Sequence, residues 1–322
     1  MKSLVLGIDL GTQGARATLY NESGECQKRG ESAINSDIHA GNAWWQAVER
    51  AAREALQEIL PSDIAAVGVG AHAPSLVAVT EDLQPIGPTL TWQDRRAAPW
   101  EKKLGIDSAP AEQRLGLRLL AQTEWLRTEH PKVHERARWF LQASEYIVAR
   151  LRKQDFLAPD IPIVNAGVDA FLDLYGSGAS QPGEACLGCG TSTSLTVVVE
   201  PEFNDCRKLW DLHVFSPQSR AGASLLHHDD LPDPADGAAL CAVAAELLNE
   251  AQQKGANVSQ ITAVGGLARL PWLNKMRADT LGIPVVTVDD PQTVCRGAAR
   301  VAGEQVQINL PAASIVQRYT PS

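Results

Sequence analysis

The chain lacks several features that would place it in a large class of proteins. Its apolar runs fall short of the roughly 20 residues that a membrane span needs, and the N-terminal run stops at Asp9, too early for a signal peptide. The net charge of −9, with no basic face, argues against a nucleic-acid or membrane-surface partner. Six cysteines are scattered, and Cys186-x-x-Cys189 has no second pair at metal-ligand spacing. We therefore expect a reduced, cytoplasmic protein with no membrane, nucleic acid or zinc partner.

A Walker-type phosphate loop is also absent, because Gly-Lys-Ser and Gly-Lys-Thr do not occur in the chain. Instead, an apolar run leads to Asp9, then to the small-residue turn Gly11-Thr12-Gln13-Gly14 and a second apolar run at 15–20. This pattern predicts a β-hairpin whose turn offers N–H groups and hydroxyls to phosphates. Asp9, at the strand end, can hold Mg²⁺ through water. An ordinary hairpin with a solvated aspartate is the alternative that these residues leave open.

The length of 322 residues and the 44% content of hydrophobic residues predict a globular protein of two domains. Apolar and alternating runs predict strands at 4–9, 15–20, 25–33, 64–70, 75–79, 161–167, 184–187, 195–199, 261–264 and 283–288. Helical spacing and breaker residues predict helices at 43–59, 97–103, 111–128, 139–151, 235–253, 271–281 and 291–302. We expect two α/β domains, 1–156 and 157–322, which repeat one theme around a cleft.

Three small-residue turns are candidates for binding one nucleotide. They are Gly11-Thr12-Gln13-Gly14, Gly190-Thr191-Ser192 and Gly265-Gly266. Each alone is a weak signal, since such turns are common in α/β proteins. Together they suit a phosphate chain held by the first two turns and an adenosine lying against the bare backbone of the third.

A polar cluster at Trp92-Gln93-Asp94-Arg95-Arg96 is a candidate sugar site. The ring of Trp92 can stack against the C–H face of a sugar, Asp94 can accept from its hydroxyls, and Arg95 can orient Asp94 or touch the sugar. A helix N-cap aspartate with solvated arginines is the structural alternative. His72 also ends a strand, and substrate contact and a structural role stay open for it.

Asp169 follows an apolar strand and lies near Gly167. A carboxylate in this position suits a base that accepts the proton of a substrate hydroxyl as the hydroxyl attacks phosphorus. An N-cap of a helix over 170–175 fits the residues equally well.

In this order the motifs resemble those of the FGGY carbohydrate kinases, a family that includes xylulose, glycerol, gluconate and ribulose kinases. The similar segments are 7–14, 92–96, 167–170, 176–178, 182–183, 190–192, 264–269, 278–285 and 297–299. The resemblance implies an α/β, two-domain actin-like ATPase (ribonuclease H-like) fold with an interdomain cleft. It also implies ATP, Mg²⁺ and transfer of the γ-phosphoryl group to a hydroxyl of a small sugar or polyol.

The resemblance implies a role for each candidate residue. Asp169 would be the catalytic base, Asp9 the metal-side carboxylate, and Trp92, Asp94, Arg95 and His72 the substrate-binding residues. The residues implied to bind ATP are Gly11, Thr12, Gln13, Gly190, Thr191, Gly265 and Gly266. We expect a pentulose-like substrate and keep a homodimer as a candidate assembly.

The chain departs from the family pattern at two short junctions, near 152–160 and 223–236. The Met-His-Gly pattern of xylulose kinases is replaced by His72-Ala73-Pro74-Ser75, and the Arg-Glu of glycerol kinases is missing there too. Short junctions favour, as the second hypothesis, a weakened relative that binds nucleotide or sugar without efficient turnover. A third hypothesis is an actin-like or heat-shock-type ATPase, against which the sugar-site cluster and Asp169 argue.

Overall fold

The computed structural model describes residues 3–34, 40–189, 192–199, 211–214, 221–227, 233 and 235–322, with the backbone alone at 111–112, 211–214 and 221–227. The chain forms two compact units. Unit 1 contains residues 1–109, 113–169 and 294–311, and unit 2 contains residues 110–112, 170–293 and 312–322. The chain thus leaves unit 1 after Asp169 and returns to it at Val294. The predicted division of the sequence at 156/157 stays a prediction.

Short strands and helices alternate through most of the described chain. The strands are β1 Leu4–Leu10, β2 Gly14–Tyr20, β3 Cys26–Ala33, β4 Ile64–Ala71, β5 Leu76–Val79, β6 Trp139–Gln142, β7 Ile163–Val168, β8 Glu184–Cys189, β9 Thr193–Val199, β10 Asp211–Val214, β11 Ala221–His227, β12 Gln260–Gly265, β13 Val285–Val288 and β14 Ile315–Tyr319. The α-helices are α1 Gly41–Ala55, α2 Ala98–Lys103, α3 Ala111–Glu129, α4 Pro131–Arg136, α5 Ala143–Leu151, α6 Asp169–Ser177, α7 Gly237–Gln253, α8 Pro271–Leu281 and α9 Thr293–Glu304.

The main sheet of unit 1 has the strand order β3-β2-β1-β4-β7. Strands β1, β2 and β3 form an antiparallel meander, whereas β4 and β7 run parallel to β1. All eight residues of β4 are buried, as expected for a central strand that is covered on both faces. One face packs against α1 and α5 through Leu6 and Ile8, and the other packs against α9 through Val5.

Helix α9 lies against β1 and β4 so closely that two strand positions have to be glycine. A Cβ built on Gly7 would lie 1.8 Å from the carbonyl oxygen of Cys295, and one on Gly68 would lie 1.9 Å from that of Ala298. No side chain tolerates such distances, so these two glycines fix where the helix packs. Gly297-Ala298-Ala299, one of the segments that resemble the family, lies in this helix. In this chain that helix completes the core of unit 1.

One predicted helix is wrong at its start. Residues 139–151 were predicted as one helix, but Trp139–Gln142 forms β6, which pairs with β5 in a separate two-stranded sheet. The aromatic and branched residues of this run favour a strand when a partner strand is present. Gln142 and Glu145 then form a capping box that begins α5.

The sheet of unit 2 has the order β10-β11-β9-β8-β12-β13-β14. It repeats the arrangement of unit 1, because β8, β9 and β11 are antiparallel neighbours and β12 and β13 run parallel to β8. Helices α7 and α8 cover this sheet through an apolar core. The edge strands β10 and β14 were not predicted. In the part of the chain that the structure describes, no helix combines the length and apolarity needed to cross a bilayer.

Candidate functional site

Three parallel strands of unit 1 end at the same edge of the sheet. Leu10 pairs with Ala71, and Ala71 pairs with Val168, so β1, β4 and β7 stop in register. The residues that follow these strands are the turn from Gly11, then His72, and then Asp169. Neighbouring strands lie about 4.8 Å apart, so the predicted metal-side, substrate and base positions share one edge. In open α/β sheets, ligands bind outside the carboxyl ends of the strands.

Asp9 is a buried carboxylate with an arginine partner. It is 5% exposed and accepts a bond from Arg16 at 3.2 Å, and Arg16 also bonds Glu31 at 3.0 Å. Burial raises the pKa of Asp9 above its usual value, although the Arg16 guanidinium opposes that shift. The hairpin register places Asp9 directly opposite Arg16. Arg16 therefore holds this carboxylate and neutralises it within unit 1.

The first predicted phosphate turn closes the β1–β2 hairpin. Gly11 N–H donates to the Gly14 carbonyl at 2.9 Å, and the Gln13 carbonyl accepts from Ile34 N–H at 2.9 Å. The side chain of Gln13 is exposed. The hydroxyl of Thr12 accepts the indole N–H of Trp92 at 3.2 Å. The first phosphate turn therefore contacts Trp92, the residue predicted to stack against the sugar. The sequence did not predict this contact.

His72 supports the segment that carries Trp92. Its Nδ1 lies 2.7 Å from Ser75 Oγ, and that oxygen also accepts the backbone N–H of Trp92 at 3.2 Å. His72 is 2% exposed and packs edge-on against Trp44, with ring centroids 5.1 Å apart. Burial lowers the pKa of His72 to about 4, so the ring is neutral at pH 7. Its Nε2, buried without a bond among the described residues, is the ring atom left for a ligand hydroxyl or a water.

Asp94 is held by Arg96. The guanidinium makes a bidentate ion pair with the carboxylate, with Arg96 Nε 2.9 Å from both oxygens, and the backbone N–H of Arg96 donates to Asp94 at 2.9 Å. Arg96 also stacks over the Trp125 ring at 4.6 Å. The Asp94 side chain is 4% exposed. The sequence offered Arg95 either to orient Asp94 or to touch the sugar. The structure shows that Arg96 orients Asp94, and the side chain of Arg95 is exposed.

Asp169 is the first residue of α6 and directly follows β7. Gly167, two residues earlier, has φ +115°, a conformation that favours glycine, and a Cβ there would meet open space. The strand before Asp169 is less buried than the apolar run predicted, because β7 is the edge strand of the sheet and only Ile163 is fully buried. A carboxylate at a helix N-terminus is stabilised in its charged form.

Two further residues that were predicted to bind the nucleotide, Gly265 and Gly266, lie in unit 2. Gly265 ends β12 and pairs with Cys189, which ends the parallel strand β8. A Cβ on Gly265 would lie 2.4 Å from the Cys189 carbonyl, whereas one on Gly266 meets nothing within 4 Å. Gly265 is thus required by packing, and Gly266 presents bare backbone to open space. Gly190 and Thr191, which follow Cys189, lie outside the described residues.

The donor set suits a metal ion that arrives with a nucleotide. Among the described residues, no group of three or more His, Cys, Asp or Glu side chains is placed to hold an ion. Mg²⁺ keeps several waters and is commonly bound by one or two carboxylates together with substrate phosphates. Asp9 beside the turn from Gly11 fits that pattern.

Sequence reasoning missed three residues of this region. Arg16 had a readable signal, since a hairpin closed at 11–14 places it opposite Asp9. Arg96 was quoted in the polar cluster, but the choice between Arg95 and Arg96 depends on local backbone geometry. Ser75 had no signal, because its contacts to His72 and Trp92 arise from the folded loop.

Comparison with models of known protein families assigns the chain to a family. The N-terminal domain model of the FGGY family of carbohydrate kinases matches residues 4–175, and the C-terminal domain model of that family matches residues 237–305. The chain belongs to the FGGY family of carbohydrate kinases. The predicted resemblance to this family is confirmed by these matches.

Individual relatives in the FGGY family are distant in sequence. A gluconokinase of Bacillus licheniformis is 25% identical over 168 residues, which are 48% of this chain and 33% of that protein. The matches to curated relatives span between 21% and 35% of the length of those proteins. A ligand-bound xylulose kinase from Lactobacillus acidophilus superposes with a TM-score of 0.78 at 15% identity, covering 99% of this chain and 94% of that one. Plasmodium falciparum glycerol kinase with ADP superposes with a TM-score of 0.75 at 12% identity, again covering 99% of this chain and 94% of that one.

These superpositions and the family matches show the predicted fold class. The chain has the α/β, two-domain actin-like ATPase fold of the FGGY kinases. The repeated sheet order of the two units is the feature of the chain itself that agrees with this assignment.

Proposed function

We propose that this chain transfers the γ-phosphoryl group of ATP to a hydroxyl of a small sugar or polyol, with a pentulose-like acceptor as the first candidate. The observation that carries the proposal is the shared edge of β1, β4 and β7, where the turn from Gly11, His72 and Asp169 follow strands that end in register. Membership of a carbohydrate-kinase family supports the reaction class.

On the acceptor side, Trp92 and Asp94 bind the sugar and Asp169 takes the proton of the attacking hydroxyl. The Trp92 ring is half-buried and anchored by Thr12, so it can present one face to C–H groups. A sugar hydroxyl that donates to the Asp94 carboxylate makes a charge-assisted bond. Arg95 and the Nε2 of His72 remain proposed contacts of the same substrate.

On the nucleotide side, Gly11, Thr12 and Gln13 bind phosphates through backbone and hydroxyl groups, as small-residue turns do. In unit 2, Gly265 and Gly266 are assigned to the adenosine side, with Gly190 and Thr191 as further phosphate contacts. Mg²⁺, held on the protein side by Asp9, would neutralise charge on the transferring phosphoryl group. A cytoplasmic location, a homodimeric assembly and no nucleic-acid or membrane partner belong to the same proposal.

The deciding experiment is ADP release from ATP and Mg²⁺ on a panel of pentuloses, hexuloses, aldonates and polyols, with a no-acceptor control. We expect release that depends on one acceptor class and saturates with its concentration. Release that is equal with and without acceptor would contradict the kinase proposal and favour an ATPase. Nucleotide or sugar binding without release would favour the weakened relative, for which the short junctions 152–160 and 223–236 are the supporting observation.

A further inference from the structure

A buried arginine to which the resemblance assigns no role links two segments of unit 2. Arg277, on α8, is 1% exposed. Its terminal nitrogens donate to Cys189 Sγ and to Asn274 Oδ1, both at 3.1 Å. Asn274, fully buried, donates in turn to the Ala268 carbonyl at 2.7 Å. One network thus joins the end of β8 to the turn at Gly266–Arg269.

Among the residues of unit 2 that the structure describes, no carboxylate balances the charge of this arginine. A guanidinium stays cationic in proteins, and among the described side chains no carboxylate forms an ion pair with Arg277, while its Nε has no hydrogen-bond partner. Burial raises the pKa of the Cys189 thiol, even though Arg277 opposes the shift, so the sulfur is a neutral acceptor. A buried, unpaired cation is costly to folding.

The position of the Arg277 hydrogen-bond network indicates what can offset the free-energy cost of burying this cation. Cys189 and Gly265 end neighbouring parallel strands, and this edge of an α/β sheet is where ligands bind. Gly266, whose missing Cβ leaves open space, begins the turn that Asn274 holds. A buried positive charge behind this edge favours an anion in front of it, because screening by water is weak in the interior.

We propose that Arg277 is a positioning residue for nucleotide phosphates: through Cys189 and Asn274 it fixes the two segments that meet the nucleotide, and its charge makes unit 2 prefer phosphorylated over unphosphorylated adenosine. The inference rests on the proposed function for its ligand class. Arg277 itself is 1% exposed, so it acts on a ligand through its charge and its hydrogen-bonded neighbours. Its effect therefore scales with the number of phosphates on the ligand, which a purely structural role would not produce.

The test is calorimetric titration of ATP, ADP and adenosine, with Mg²⁺ and without acceptor, into the full chain and three variants. Arg277→Met removes the charge from a side chain of similar length. Arg277→Lys keeps the charge but lacks the planar guanidinium with its several N–H donors. Lys275→Met, the control, removes an exposed charge from the same helix. We expect Arg277→Met to weaken ATP about tenfold, ADP less, and adenosine by under about twofold. Lys275→Met should leave all three unchanged.

Equal losses for all three ligands, or no loss, in Arg277→Met would overturn the inference. Thermal melting identifies a variant that fails to fold. If Arg277→Met fails to fold, Arg277→Lys decides, since the proposal expects its ratio of ATP to adenosine affinity to stay within about twofold of the parent chain. If the wild-type protein bound no nucleotide, both the inference and the proposed function would be contradicted. Nucleotide binding with phosphate-number dependence but no sugar phosphorylation would leave the inference standing alone.

Discussion

At the scale of single residues, Asp9, Asp94 and Asp169 of unit 1 lie in different electrostatic surroundings. Asp9 is held by Arg16, and Asp94 by Arg96, in each case by an arginine within reach along the hairpin or loop. Asp169 begins a helix, where the N-terminal dipole favours a carboxylate. Of these groups, Asp169 is the one that directly follows a strand at the shared edge, which supports its proposed role as the base.

Replacing Asp169 by Asn is the sharpest test of that role. The amide cannot take the hydroxyl proton, so we expect turnover to fall by about 10²–10⁴-fold while ADP affinity stays near that of the parent chain. Steady-state kinetics and ADP titration measure the two quantities. Unchanged turnover would remove Asp169 from the reaction, and lost ADP affinity would indicate a nucleotide contact instead.

His72 makes stability depend on pH in a definite direction. Its folded pKa of about 4 lies below the unfolded value near 6.5, so the unfolded chain binds the proton first. Stability from this group is therefore complete above pH 6.5 and is lost as the pH falls from 6.5 to 4, by about 3 kcal/mol.

Urea unfolding at pH 7 and pH 4.5 compares the chain with His72→Gln, which keeps a polar amide but does not titrate. We expect the parent to lose more stability than the variant over this interval. The raised pKa of Asp9 acts in the opposite sense at acid pH and is common to both proteins, so it cancels in the comparison. An equal loss in the two proteins would show that His72 is not buried in its neutral form.

At the scale of elements, close backbone packing fixes where helices lie. Gly68 of β4 meets α9 with no room for a methyl group, so Gly68→Ala has to push the helix off the sheet. We expect a loss of about 3 kcal/mol or more in the free energy of unfolding, since the obstructing atom is a backbone carbonyl.

Gly116 provides the matched control for Gly68. It lies in α3 with nothing within 4 Å of a built Cβ, and Gly116→Ala should stabilise the chain by about 0.5–1 kcal/mol. Chemical denaturation measures both variants. A Gly68→Ala protein as stable as its parent would mean that α9 is free to shift on the sheet.

The same scale shows what the sequence can predict. Strand ends and small-residue turns were readable because apolar runs stop abruptly at Asp9 and before Asp169, and the register of β1 with β2 follows from the turn. Residues 139–142 were misread because a short aromatic run takes its structure from a partner strand. Arg277 was not readable, since its acceptor Cys189 lies 88 residues away in sequence.

At the scale of the whole molecule, unit 1 is assembled from distant parts of the chain. Residues 294–311 supply α9 and Leu310, which cover Val5, Tyr20 and Ala66 of the first sheet. A fragment of residues 1–169 would expose that apolar face, so we expect it to aggregate and to melt without a cooperative transition. The control is the same fragment joined by a flexible linker to 294–311, in which a cooperative melt should return. A cooperative melt of the shorter fragment would contradict this account.

The late arrival of α9 has a consequence for how a cell makes this protein. The ribosome releases the strands of the first sheet more than a hundred residues before it releases the helix that covers them. At ordinary translation speeds this interval is on the order of ten seconds. During that time the sheet face that carries Gly7 and Gly68 is an uncovered apolar surface of the nascent chain, and it is open to aggregation until residues 294–311 emerge.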